Sequence, residues 1–110
     1  MSTQLLTLLV LLSAAAIQHL PVATCNEWCV ALPASTKEQL QANIDFGCRQ
    51  VHCTAIQPGG SCYYPNTLVD HASFVMNSYY QSHDRTADAC SFNNSGFLTS
   101  SDPSNGPCVY

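Results

Sequence analysis

Seven cysteines in a chain of 110 residues constrain the fold more than any other feature. Whether they bind metal or pair with one another depends on the compartment, and the N-terminus indicates which. Leu5 to Ala16 is a nearly unbroken apolar run, followed by polar sequence. It reads as the core of a secretory signal peptide, too short to span a bilayer. No Lys or Arg precedes it, so the Met1 amine supplies the positive charge. We assign residues 1–24 as the leader, with cleavage after Ala16 as the alternative, and residues 25–110 as one domain. In a small secreted chain, cysteines at irregular spacings are structural disulfides. Cys25, at the cleavage point and ahead of the first predicted element, is the spare. The other six allow fifteen connectivities, among which spacing does not choose. Cys48, His52 and Cys53 can be drawn as a metal site, but their spacing lacks a zinc pattern and the compartment favours a disulfide. No metal or cofactor is expected.

The mature domain, at roughly 90 residues, is of a size at which one apolar core is marginal and covalent staples are commonly needed. Three Lys plus Arg against seven Asp plus Glu give a net charge of −4, and every charged residue lies after the leader. That excludes nucleic acid, whose binding rests on clustered Lys and Arg, and electrostatic attack on anionic membranes. So few charges suit a partner rich in hydroxyls. The chain closes on Cys108-Val109-Tyr110 without the apolar tail of a glycolipid-anchor signal, so a released monomer is expected.

Asn26 to Ala31 carries aromatic and β-branched residues and is stopped by Pro33, which predicts a short strand. Ser35 with Glu38 forms a capping-box signature that opens a helix running to Cys48, with Leu40, Ile44 and Cys48 facing the core. Phe46 falls off that stripe. Gln57 to Asn66 then compresses a turn, a cysteine, two aromatics and a helix start into ten residues. Pro58 fixes φ and Gly59-Gly60 take positive φ, so the chain reverses before Cys62. Past Pro65, an Asn or Thr cap opens the longest amphipathic run, from Asn66 to about His83. Leu68, Ala72, Val75 and Tyr79 form its apolar row, flanked by Val69, Met76 and Tyr80, while Asp70, Asn77 and Gln81 form the opposite face. Phe74 projects among those polar residues. Cys90-Ser91-Phe92 and Phe97-Leu98-Thr99 flank Asn93-Asn94-Ser95-Gly96, which predicts a β-hairpin. Asn93 also opens a glycosylation sequon in that predicted turn.

Trp28-Cys29-Val30-Ala31, the pair Cys48 and Cys53, Ala55 to Gly60, Cys62-Tyr63-Tyr64-Pro65-Asn66, His71-Ala72-Ser73-Phe74, Asn77 to Gln81, Cys90 and the closing Cys108-Val109-Tyr110 together resemble carbohydrate-binding module family 43. This is the plant X-eight domain, found alone, in plasmodesmal callose-binding proteins and at the C-terminus of certain endo-1,3-β-glucanases. The resemblance covers essentially the whole mature chain and every cysteine but Cys25. It implies an α+β, disulfide-stapled domain of two packed helices with a small antiparallel sheet. It also implies pairing of Cys29 with Cys90, Cys48 with Cys53 and Cys62 with Cys108, and binding of β-1,3-glucan (callose) in the plant cell wall. Cys25 lies outside the pattern, and the missing glycolipid tail leaves membrane tethering out of what carries over.

Sugar rings offer C–H faces that lie on aromatic rings and hydroxyls that need donors and acceptors. Tyr63, Tyr64, Phe74 and Tyr80, with Gln57, Asn77 and Gln81 as hydrogen-bonding partners, are the candidate glucan-binding residues. Trp28, beside a disulfide, and Tyr79, on the apolar row, read as core. The seven acids are scattered, and no pair stands where a glycosidase needs a matched acid and base, so a non-catalytic module is expected. The rival reading is a disulfide-rich secreted ligand or defence protein that binds a protein partner.

Overall fold

Strand β1 (Trp28–Ala31) is the element against which the rest of the chain is assembled. Its Cys29, Val30 and Ala31 are buried, although among the described residues the sheet it belongs to has only two strands. One edge pairs antiparallel with β2 (Gly96–Thr99) in the register Trp28 to Thr99 through Ala31 to Gly96. N–H groups alternate along a strand, so those of Cys29 and Ala31 point to the opposite edge. There they meet side chains of the long helix instead of a third strand. The Cys29 N–H donates to Asn77 Oδ1 at 3.1 Å, and the Ala31 N–H donates to Ser73 Oγ at 3.0 Å. Two residues of strand rise roughly 6.7 Å and four residues of helix 6.0 Å, so the i, i+2 donors match the i, i+4 acceptors. The computed structural model that shows this describes residues 26–110; the expected leader, its expected cleavage point and Cys25 lie outside the described residues.

Helix α1 (Lys37–Cys48) starts one residue later than the Ser35 signature predicts. Thr36 is the N-cap, accepting from the Gln39 N–H at 3.1 Å while Gln39 Oε1 accepts from the Thr36 N–H at 2.9 Å. The run Ser-Thr-Lys-Glu-Gln satisfies the capping-box pattern in two adjacent frames, and the second is used. Helix α2 (Leu68–Ser82) is opened by Thr67, whose hydroxyl oxygen accepts from the Asp70 N–H at 3.1 Å. The helices pack closely because Gly47 sits at their contact: a Cβ there would lie 2.2 Å from Val75 Cγ1. Leu40, Ala72, Met76 and Tyr80 join Cys29, Ala31, Ala89 and Cys90 in one core cluster.

The predicted hairpin is not formed. Phe97 to Thr99 lie in a strand, but that strand pairs with β1, and the other arm is a pair of 3₁₀ turns at Ala87–Cys90 and Phe92–Asn94. Phe92, Asn93 and Asn94 take positive φ of 43°, 52° and 65°, which breaks any strand there. Asn tolerates that region, so the Asn-Asn pair serves a left-handed bend.

Among the described residues three disulfides join Cys29 to Cys90, Cys48 to Cys53 and Cys62 to Cys108. The Cys48–Cys53 bond occupies the two sulfurs of the drawn metal site. By loop entropy, the first closes a long loop and contributes about 4 kcal/mol, the short second about 2 kcal/mol. The third clamps the chain end onto the connector before α2. In that connector Gly59 takes φ +87°. Gly60 is needed for a different reason: a Cβ would meet the Ala55 carbonyl oxygen at 2.3 Å.

Candidate functional site

The Cys62–Cys108 staple brings two remote aromatic groups to one flank of α2. Tyr63 and Tyr64, between the disulfide and the helix, meet edge to face with ring centroids 4.9 Å apart. Tyr63 also packs on His71, in the first turns of α2, at 5.7 Å. His71 Nε2 lies 2.8 Å from the Tyr63 carbonyl oxygen. A carbonyl only accepts, so Nε2 carries the hydrogen and the ring is held against the connector. Tyr64, beyond them, is 75% exposed, an aromatic face open to solvent.

One turn along α2, half-buried Phe74 meets Tyr110, the last residue, edge to face at 5.6 Å. The Tyr110 hydroxyl donates to the Asp70 carbonyl oxygen at 3.3 Å, and its N–H donates to Ser104 Oγ at 3.0 Å. Burial, and secondarily the Asp70 carboxylate, push its phenol up to about 12. Two clefts end the row. One, of about 280 Å3, lies beside Tyr64, Ser61 and Asn105; the other, of about 340 Å3, is lined by Trp28, Gln81, Glu27, Arg85 and Tyr110. From His71 to Gln81 the helix rises about 15 Å. Gln81 Nε2 is fixed at the far end, donating to the Glu27 carbonyl oxygen at 2.9 Å and to Asn77 Oδ1 at 3.2 Å.

Tyr63, Tyr64, Phe74 and Gln81 of the sequence candidates therefore share this flank. Three others do not contribute to it. Tyr80, at 2% exposure, is among the most deeply buried side chains. Its phenol is pushed up by burial and then by the Glu27 carboxylate. Asn77, at 3% exposure, is committed to β1. Gln57 is exposed on its turn and lines neither cleft. In their place stand His71, Tyr110 and Trp28, the last half-buried at the mouth of a cleft. Tyr110 was the residue to find: the pairing of Cys62 with Cys108 implied by the resemblance sets the C-terminus beside Tyr63.

A second aromatic group, Phe46, Tyr79 and Phe92, borders a cavity of about 380 Å3 between the helices and the 3₁₀ turns. This explains why Phe46 departs from the stripe of α1.

The family model of the X8 domain matches residues 27–97, which include most of this flank but not Tyr110. A glucan endo-1,3-beta-glucosidase of Triticum aestivum is 50% identical over 85 residues, which cover 77% of this chain but 18% of that protein. The major pollen allergen Ole e 10 of Olea europaea is 47% identical over 92 residues, covering 82% of this chain and 75% of the allergen. Glucan endo-1,3-beta-glucosidase 7 of Arabidopsis thaliana is 42% identical over 88 residues, 79% of this chain and 18% of the relative. The chain thus spans under a fifth of the two glucosidases it resembles and most of the allergen. With the family model covering well over half of it, this chain belongs to the X8 domain family, carbohydrate-binding module family 43.

Proposed function

We propose that this is a secreted, non-catalytic domain that binds β-1,3-glucan in the plant cell wall, with the polysaccharide lying along the flank of α2 from Tyr64 to Trp28. The observation that carries the reading is the row itself: Tyr64, Tyr63, Phe74, Tyr110 and Trp28 in sequence along about 15 Å of helix, with a cleft at each end. Successive sugar rings in an extended chain need successive apolar faces, and their hydroxyls need the donors and acceptors that Gln81, Glu27, Ser61 and Asn105 provide beside those clefts. The anchors are held in advance of the ligand. Tyr63 is tied through His71, Tyr110 through Asp70 and Ser104, and both flank a disulfide, so binding costs little ordering entropy.

Binding without cleavage is supported by what the relatives share with this chain. The region common to the wheat glucosidase is under a fifth of that enzyme, whereas the olive allergen is matched over three quarters of its length. Affinity electrophoresis through gels with and without a soluble β-1,3-glucan tests the reading. Retardation only in the glucan gel is expected, reduced by Tyr64→Ala at unchanged thermal stability, with no reducing sugar released. Equal mobility in both gels would refute it.

A further inference from the structure

Across α2 from the proposed glucan flank, Phe46, Tyr79 and Phe92 meet edge to face, with centroids 5.1 Å apart for Phe46 and Tyr79, 5.7 Å for Tyr79 and Phe92, and 6.2 Å for Phe46 and Phe92. Together they line a cup of about 380 Å3 that Asp88 and Asn93 also line. Phe46 remains 37% exposed. Apolar ring faces beside an amide and a carboxylate suit a hydroxylated, amide-bearing ring better than an aliphatic side chain.

Asn93 is exposed and opens the sequon Asn93-Asn94-Ser95. Three successive left-handed residues turn the chain at this point, and Asn93 itself lines the cup. We propose that Asn93 carries an N-linked glycan whose first N-acetylglucosamine packs into the cup formed by Phe46, Tyr79 and Phe92. The donor is a lipid-pyrophosphate-linked oligosaccharide of the secretory pathway. Asn93 Nδ2 forms a bond to sugar C1 and loses one proton, while the C1–O bond breaks and the lipid pyrophosphate leaves with the electron pair. A ring tethered at Asn93 reaches the cup at a high effective concentration, ahead of any free saccharide.

Ser95 orders the events. In the folded domain Ser95 is 2% exposed, and its hydroxyl donates to the Phe92 carbonyl oxygen at 2.5 Å and accepts from Asn43 Nδ2 at 2.8 Å. A transferase that must engage that hydroxyl finds it only in the unfolded chain, so the sugar is attached first and the cup closes on it during folding. This inference rests on the secreted reading and not on glucan binding.

The test secretes the full chain from plant cells as wild type, Asn93→Gln, and Phe46→Ala, each melted before and after enzymatic removal of the glycan. Peptide mapping is expected to place one glycan on Asn93. Nuclear Overhauser contacts should join the N-acetyl methyl of the first sugar to the Phe46 and Phe92 rings. The glycan should raise Tm by on the order of 4 °C in wild type and by much less in Phe46→Ala. An unmodified Asn93 overturns the proposal, as does an equal rise in both proteins without ring contacts. Glucan retardation of Asn93→Gln, read separately, is expected to match wild type, so the two readings fail independently.

Discussion

Replacing Ser73 and Asn77 by alanine, singly and together, probes how a two-stranded sheet is made stable here. Each substitution leaves a buried strand N–H, that of Ala31 or Cys29, without its acceptor. Water cannot readily take its place, because Cys29 is fully buried and Ala31 3% exposed. An unsatisfied buried N–H costs about 1 to 3 kcal/mol, so the two losses sum to roughly 2 to 6 kcal/mol. The two sites serve the same strand edge, so the double variant is expected to depart from the sum of the singles. That is a large share of the roughly 5 to 15 kcal/mol typical of a folded domain. Urea unfolding with the disulfides intact measures it, and the fraction of Asn77→Ala that remains folded is expected to bind glucan as wild type does. Variants within about 0.5 kcal/mol of wild type would refute the reasoning, because surface substitutions free of such a role fall in that range. Loss of glucan binding by fully folded Asn77→Ala would instead return this residue to the site.

Gly47→Ala should destabilise the domain by about 1 to 3 kcal/mol in the same urea assay, since its methyl would lie 2.2 Å from Val75 Cγ1 and the helices must part to admit it. The Tyr110 phenol, pushed up from 10.0 to about 12 by burial and Asp70, makes stability depend on alkaline pH. Above about pH 10 the unfolded chain gives up this proton while the folded one keeps it, so the stabilisation is complete below pH 10 and is lost as pH rises toward 12. Unfolding midpoints should fall over that window, and Tyr110→Phe should make the fall shallower.

The two helices and β1 were legible because their signals are local: an apolar period, a cap, a stop. Even there the first cap is ambiguous, since Ser35 with Glu38 and Thr36 with Gln39 fit one pattern, and only the structure shows Thr36 in use. Where the fold depends on remote partners, local signals misled. Asn93 to Gly96 has turn composition, yet β2 pairs with a strand more than sixty residues earlier, beside the Cys29–Cys90 bond of sequence separation 61. Asn77 lies on the polar side of a helical wheel, where polarity is read as exposure. Here Asn77 is buried, with Ser73 one turn before it, because the open edge of β1 needs acceptors. Tyr80 fell on the border of the apolar row and proved to be core. Tyr110 carries no local signal at all, and its place is set by the disulfide two residues before it.

Titration of the isotopically labelled domain with a linear β-1,3-glucan oligosaccharide, followed residue by residue by NMR, locates the glucan-binding surface. Perturbed resonances are expected along Tyr63, Tyr64, Phe74, Tyr110, Trp28 and Gln81, with Phe46, Tyr79 and Phe92 unmoved. Phe74→Ala is expected to weaken binding by about 1 to 3 kcal/mol. Perturbations centred on Phe46, Tyr79 and Phe92, or none at saturating oligosaccharide, would contradict that placement.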